Sequence, residues 1–206
     1  MKVGIIGAGM VGASLACALA PSGLRIAVVE AVKLKNDQQP SYDDRGLTLS
    51  LSSKRILEHI GVWENVLPAV NPIKKIHVSE QGRFGFMHLD AAQTDKDELG
   101  HVVVARSLGQ ALHKQMLSFE NISLICPAEL KSFKQSEEAM SIEISCSGRS
   151  ELITSGLLVG ADGSQSLVRR LAAINVKEHD FKQTAIVANV TTQKPNQATA
   201  YERFTH

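Results

Sequence analysis

Residues 2–30, KVGIIGAGMVGASLACALAPSGLRIAVVE, limit what this chain can fold into more than any other stretch. Val3, Ile5 and Ile6 form an apolar run suited to a strand buried on both faces. Gly7, Gly9 and Gly12 follow at the spacing G-x-G-x-x-G, each with its own physical reason. Gly7 lets the chain turn sharply out of the strand, Gly9 leaves room for a pyrophosphate at the backbone, and Gly12 lets the next helix sit close to the strand. That helix opens with free N–H groups near Met10, Val11 and Gly12, which can meet phosphate oxygens. Val11, Leu15, Ala16 and Leu19 make its expected apolar face, and Pro21-Ser22-Gly23 its stop. Residues 26–29 read as a second strand with Glu30 at its carboxyl end. A carboxylate there can accept hydrogen bonds from both hydroxyls of an adenosine ribose and would repel a 2′-phosphate, which disfavours tightly held NADP. The pattern predicts an adenine dinucleotide site. The competing reading is a purely structural glycine turn, and the fingerprint does not separate FAD from NAD.

The bulk numbers narrow the class. A chain of 206 residues holds one good core, or one domain with part of another, and 44% hydrophobic with 21% charged residues is ordinary for a globular protein. A net charge of +1 gives no reason to expect nucleic acid. No apolar run reaches the roughly 18 residues of a spanning helix, and the N-terminus lacks the features of a signal peptide. Cys17, Cys126 and Cys146 are odd in number and far apart, which suits thiols in a reducing cytoplasm and offers no partnered catalytic cysteine. The histidines show no metal-ligand spacing, so no metal site is expected.

Along the rest of the chain, residues 33–44 form a polar loop closed by Asp43-Asp44-Arg45-Gly46. Residues 47–51 alternate, and Ser52 or Ser53 is the expected cap of a helix running to His59, with Leu57 and Ile60 on its apolar side and Gly61 as its stop. Pro68 and Pro72 mark a break. Strands are expected through Ile73, Ile76 and Val78, and over residues 84–89 and 102–105, with an acidic loop over 90–100. Ser107-Leu108-Gly109-Gln110 has the form of a capping box, so a helix starting at Leu108 is expected, with Leu108, Ala111, Leu112 and Met116 buried. Strands follow over residues 122–126, 129–133 and 140–146 and around Ile153. Residues 157–159 read as a buried strand that leaves through Gly160-Ala161-Asp162-Gly163 into a helix opened by Ser164 or Ser166. A last strand is expected over 185–190.

The second glycine–acid turn taken alone is an ordinary tight turn with a capping Asp. Taken with GIIGAGMVGASLACALA, DDRGLTLS, VVVARSLGQALHKQM, LLVGADGSQSLVRR, AIVANVTT and AYERFTH, it makes a pattern across essentially the whole chain. The sequence resembles the flavin-dependent aromatic hydroxylases of the para-hydroxybenzoate hydroxylase type, in their ubiquinone-biosynthesis branch. The resemblance implies a Rossmann-like FAD-binding βαβ domain with antiparallel β insertions and the start of a substrate-domain sheet. It places the FAD-binding domain over residues 1–70 and 101–175 and the partial substrate sheet over 71–100 and 176–206. By resemblance, Gly7, Gly9 and Gly12, with Met10 and Val11, cradle the FAD pyrophosphate. Glu30 takes the adenosine ribose, Arg45 lies along the flavin ribose and pyrophosphate, and Arg106 contacts FAD. Asp162 and Gly163 form the family's turn near FAD and the nicotinamide path.

The family's further Gly-Asp motif, which packs on the ribityl chain and ring, has no match in these residues. The chain is therefore expected to be the N-terminal half of a longer enzyme. The resemblance implies that NADH or NADPH transiently reduces FAD, which then uses O₂ to hydroxylate an electron-rich phenol. The branch substrate is a polyprenylated phenol, so the expected setting is cytoplasmic and peripheral to a membrane, with self-association or association with other ubiquinone-biosynthesis proteins. No side chain stands out as a catalytic acid or base. The rival readings are another flavoenzyme on the same scaffold (a halogenase or prenyl reductase), a non-catalytic dinucleotide-binding module, and a simple NAD dehydrogenase. Trp63, the one tryptophan, sits in a helix-end context that does not suit a halogenase.

Overall fold

The computed structural model describes residues 2–33 and 43–205, so the polar loop expected over 33–44 lies almost wholly outside them. β1 (Lys2–Ile6), α1 (Met10–Leu19) and β2 (Arg25–Val29) give the expected βαβ opening, and Gly23, at φ 72°, closes the turn after the helix. Next come β3 (Gly46–Leu49), α2 (Leu51–His59), α3 (Trp63–Val66), β4 (Val70–Ile73), β5 (Lys75–Glu80), β6 (Phe86–Asp90) and β7 (Gly100–Val104). β7 runs directly into α4 (Ala105–Met116). The remainder is β8 (Ile122–Ile125), β9 (Ala128–Gln135), β10 (Met140–Cys146), β11 (Arg149–Ser155), β12 (Leu157–Gly160), α5 (Leu167–Leu171) and β13 (Thr199–Phe204).

The parallel sheet β12-β1-β2-β8 is the middle layer of a three-layer core. On one face Val3, Ile5, Ile26 and Val28 pack with Ala13, Ala16 and Cys17 of α1 and Leu108, Leu112 and Met116 of α4. On the other face Ile6, Ala27 and Val29 meet Ala128, Leu130, Ile142, Ile144 and Ile153 of the antiparallel sheet β11-β10-β9. Burial on both faces is why β1 and β2 are continuously apolar, whereas β10, buried on one face, alternates. Two smaller sheets complete the described residues: antiparallel β3-β7-β4, and β13-β5-β6, in which β13 adds in parallel to the β5–β6 hairpin. The result is the expected mixed α/β fold built on a parallel sheet. No helix among the described residues is long and apolar enough to cross a membrane.

Several expectations need correction. Val11 is 72% exposed, and the buried face of α1 is Gly12, Ala13, Ala16 and Cys17, because only small residues fit where the helix lies against the strands. Ser50, not Ser52 or Ser53, caps α2; its hydroxyl accepts the Ser53 N–H at 3.1 Å. α4 starts at Ala105, three residues before the expected Leu108, and Ser107 does not cap it. Its first N–H groups go instead to a distant loop: Ala105 N–H to the Arg45 carbonyl at 2.9 Å and Arg106 N–H to the Asp43 carbonyl at 3.0 Å. Pro72 does not break the chain but lies inside β4, an edge strand where a missing N–H is tolerated. β12 is an edge strand, with Leu157 half-exposed. Residues 185–190 form no strand; they are exposed and have no ladder partner. Trp63, in the helix-end position the sequence suggests, opens α3 and is buried beside His101. As expected of a buried thiol, Cys17 is fully enclosed, and burial pushes its thiol up to about 11, which leaves it an inert packing residue.

Candidate dinucleotide site

The carboxyl ends of β1 and β2, with the turns that leave them, bound a cleft of about 730 Å³. This is where ligands bind in open parallel sheets. Gly7, Gly9, Met10 and Val11 line it from the first turn, and Glu30, Ala31 and Val32 from the end of β2. Ala128, Glu129 and Leu130 contribute the start of β9, and Ala161, Asp162, Gly163, Ser164 and Gln165 the turn after β12. Arg45 reaches it from the loop before β3.

The glycine turn is set by backbone contacts. Gly7 has φ +101°, and a Cβ there would lie 2.4 Å from the Ala161 carbonyl oxygen. A Cβ on Gly12 would lie 1.9 Å from the Gly7 carbonyl oxygen. The same turn is tied to both neighbouring strands: the Gly7 N–H donates to Val29 O at 2.8 Å, and the Ala161 N–H to Ile6 O at 2.7 Å. Gly9 is the N-cap residue of α1, and among the described residues no side chain caps that end. The first N–H groups of a ten-residue helix therefore stand at the cleft without intrahelical partners, at the positive end of its dipole. A pyrophosphate fits that donor set.

Glu30 is buried, 8% exposed, and already holds backbone. Its Oε2 accepts the Ala8 N–H at 2.7 Å and its Oε1 the Val32 N–H at 2.8 Å. Each carboxylate oxygen can accept more than one hydrogen bond, so Glu30 is not saturated by these two. His113 on α4 meets the same turn from the other side, with Nε2 2.7 Å from the Ala8 carbonyl oxygen. Burial holds its ring below the usual imidazole range, partly offset by that hydrogen bond and by Glu30.

The remaining expected residues divide. Arg45 is at the cleft, ion-paired with Asp43 at 2.5 Å, which holds the Asp43 carboxyl below its ordinary range. Arg106 is not among the cleft-lining residues. Its Nε donates to Asp44 at 3.0 Å, so it braces the loop that carries Arg45. Asp162 lines the cleft, but its carboxylate caps α5, accepting from the Ser166 hydroxyl at 2.5 Å and the Leu167 N–H at 2.6 Å. Gly163 follows at φ +82°. The sequence reading missed Ala31 and Val32, which directly follow Glu30, and the start of β9, tied there by the Ala128 N–H donating to the Glu30 carbonyl at 2.8 Å. It also missed His113, one residue beyond the buried Leu112, because its partner Ala8 lies 105 residues away and no local pattern marks it.

The fold and the glycine-turn cleft define a dinucleotide-binding domain, and residues 1–206 match the FAD binding domain family, which makes that dinucleotide FAD. The chain belongs to that family, whose cofactor is FAD. It is 33% identical over 98% of its length to an uncharacterized protein of Synechocystis, covering 48% of that protein. It is 30% identical over 97% of its length to the ubiquinone hydroxylase UbiL of Rhodospirillum rubrum, covering 46% of it. Other relatives bear ubiquinone-hydroxylase, 3-demethoxyubiquinol 3-hydroxylase or ubiquinone-biosynthesis monooxygenase names. The fold is similar to that of the flavin-dependent monooxygenase PieE, solved with FAD and substrate, at a TM-score of 0.70 and 18% identity, over 86% of this chain and 33% of that one. The chain spans about half the length of the curated relatives it matches.

The Gly7–Gly12 contact yields a direct expectation. Gly12→Ala must push α1 off the sheet or open the turn, lowering stability by about 1–3 kcal/mol or more, as overpacking does. A urea titration followed by circular dichroism checks it, with the midpoint expected to fall.

Proposed function

We propose that the chain carries the adenosine and pyrophosphate end of the FAD site of a monooxygenase that hydroxylates a polyprenylated phenol in ubiquinone biosynthesis. Within that branch we take 2-octaprenyl-6-methoxyphenol hydroxylase as the reference, since these segments are similar to it. The observation that carries the reading is the uncapped start of α1, which shares one cleft with the buried Glu30 carboxylate. In this reading Met10, Val11 and Gly12 give N–H groups to the pyrophosphate, Glu30 accepts from the adenosine ribose, and Arg45 supplies positive charge to phosphate. Bound flavin supplies the redox and oxygen chemistry, with NADH or NADPH as reductant. The protein's own residues bind, orient and exclude water. Asp162 and Glu30 spend their carboxylates on backbone N–H groups, which argues against either acting as an acid or base.

The proposed substrate dissolves in lipid, so access is peripheral. Exposed Phe84, Phe86 and Met87 at the β5–β6 hairpin offer apolar surface for that contact. The domain division given by resemblance, residues 1–70 with 101–175 and 71–100 with 176–206, forms part of the proposal. Residues 1–206 alone are proposed to bind FAD weakly, to self-associate through exposed Phe181, Ile186, Val187 and Val190, and to be inactive in hydroxylation.

Two outcomes are expected. Glu30→Ala removes up to two charge-assisted hydrogen bonds to ribose and weakens FAD binding on the order of ten- to hundredfold, measured by quenching of flavin fluorescence. An unchanged dissociation constant would contradict the ribose assignment. The 206-residue chain given FAD, NADH or NADPH, oxygen and a short-chain prenylphenol should oxidise the nicotinamide with release of hydrogen peroxide at most. Stoichiometric hydroxylated product from a monomeric chain would overturn the inactivity of these residues alone.

A further inference from the structure

We propose that His113 is a positioning residue of the dinucleotide site: its ring holds the Ala8–Gly9 peptide so that the Gly9 N–H faces the pyrophosphate position. The inference rests on the reading of the cleft as an FAD site. Gly9 has no Cβ, so the peptide before it can rotate at little steric cost, and nothing in residue 9 itself selects the observed φ of −64°. The selection comes from outside the turn. The Ala8 carbonyl oxygen lies 2.7 Å from His113 Nε2. A carbonyl oxygen only accepts, so Nε2 carries the hydrogen and donates. In a trans planar peptide the C=O of one residue and the N–H of the next point in opposite directions. With the Ala8 C=O directed into the protein toward α4, the Gly9 N–H is directed away from α4. Gly9 and Met10 are cleft-lining residues.

The peptide one residue earlier is fixed as well, because the Ala8 N–H donates to Glu30 Oε2 at 2.7 Å. Ala8, with no exposed surface, is thus held through both its N–H and its C=O, by side chains just after β2 and on α4 that lie 22 and 105 residues away in sequence. The role assigned to His113 is to keep one amide aimed. It touches neither the cleft nor a reacting atom.

The test compares His113→Gln with His113→Met in the 206-residue chain. The two side chains are of equal length, but only Gln can donate to the Ala8 carbonyl. FAD affinity is read by fluorescence quenching, and the Ala8 carbonyl ¹³C and Gly9 amide ¹⁵N shifts are read by NMR without FAD. His113→Met is expected to weaken FAD binding about tenfold, the order of one lost hydrogen bond, and to move both resonances. His113→Gln is expected to stay within about threefold of the unaltered chain, with both resonances near their original positions. Equal losses in the two variants would show that the ring only fills space and would overturn the proposal. Unchanged binding in His113→Met, with the unaltered chain binding FAD, would overturn the role of His113 while leaving the site reading intact. Failure of the unaltered chain to bind FAD would overturn the site reading, and this inference with it.

Discussion

The rest of the structure depends on one close approach, between the backbone leaving β1 and the backbone entering α1. Gly12 lies so near the Gly7 carbonyl that a methyl group would fall 1.9 Å from its oxygen, and one on Gly7 would fall 2.4 Å from the Ala161 carbonyl oxygen. That contact sets the distance between helix and sheet. It explains why Ala13, Ala16 and Cys17 continue the buried face of α1 while the larger Val11 stays outside. It also places the open end of the helix over the carboxyl ends of β1 and β2, where the cleft lies. Packing and binding here share a cause: the absence of Cβ atoms that lets the layers close also lets a ligand meet backbone.

What could be read from the sequence was whatever is local or periodic. The βαβ opening, the carboxylate at the end of β2, the β9–β11 meander and the stop at Gly61 all follow from spacing, alternation and turn chemistry within a few residues. What escaped was set by distant partners. Ser107 resembled a cap, but the N–H groups of α4 were already taken by carbonyls of Asp43 and Arg45 some sixty residues earlier. Residues 185–190 carry strand-forming side chains, yet no strand in the described residues pairs with them. Pro72 looked like a break because its edge position is a property of the sheet.

The site divides the same way. The glycines and Glu30 could be found from the fingerprint, and Asp162 from its turn. His113 could not, since its partner is more than a hundred residues away in sequence. Nor could the sequence say that Glu30 and Asp162 are committed to backbone N–H groups before any ligand arrives. That commitment gives the carboxylates a shaping role: one fixes the turn, the other the start of α5. Under the proposed function it suits a chain that supplies geometry while the bound flavin supplies the reactive chemistry.

The central claim is that this cleft reads an adenosine ribose with Glu30 and a pyrophosphate with the glycine turn. Calorimetric titration of the 206-residue chain with ADP-ribose, and separately with its 2′-phosphorylated form, tests it most directly. Both ligands carry the pyrophosphate, and only the second brings a phosphate against the buried carboxylate. The account predicts measurable ADP-ribose binding and, from the unpaired like charges, at least about tenfold weaker binding of the 2′-phosphate. Equal affinities, or tighter binding of the phosphorylated ligand, would contradict it.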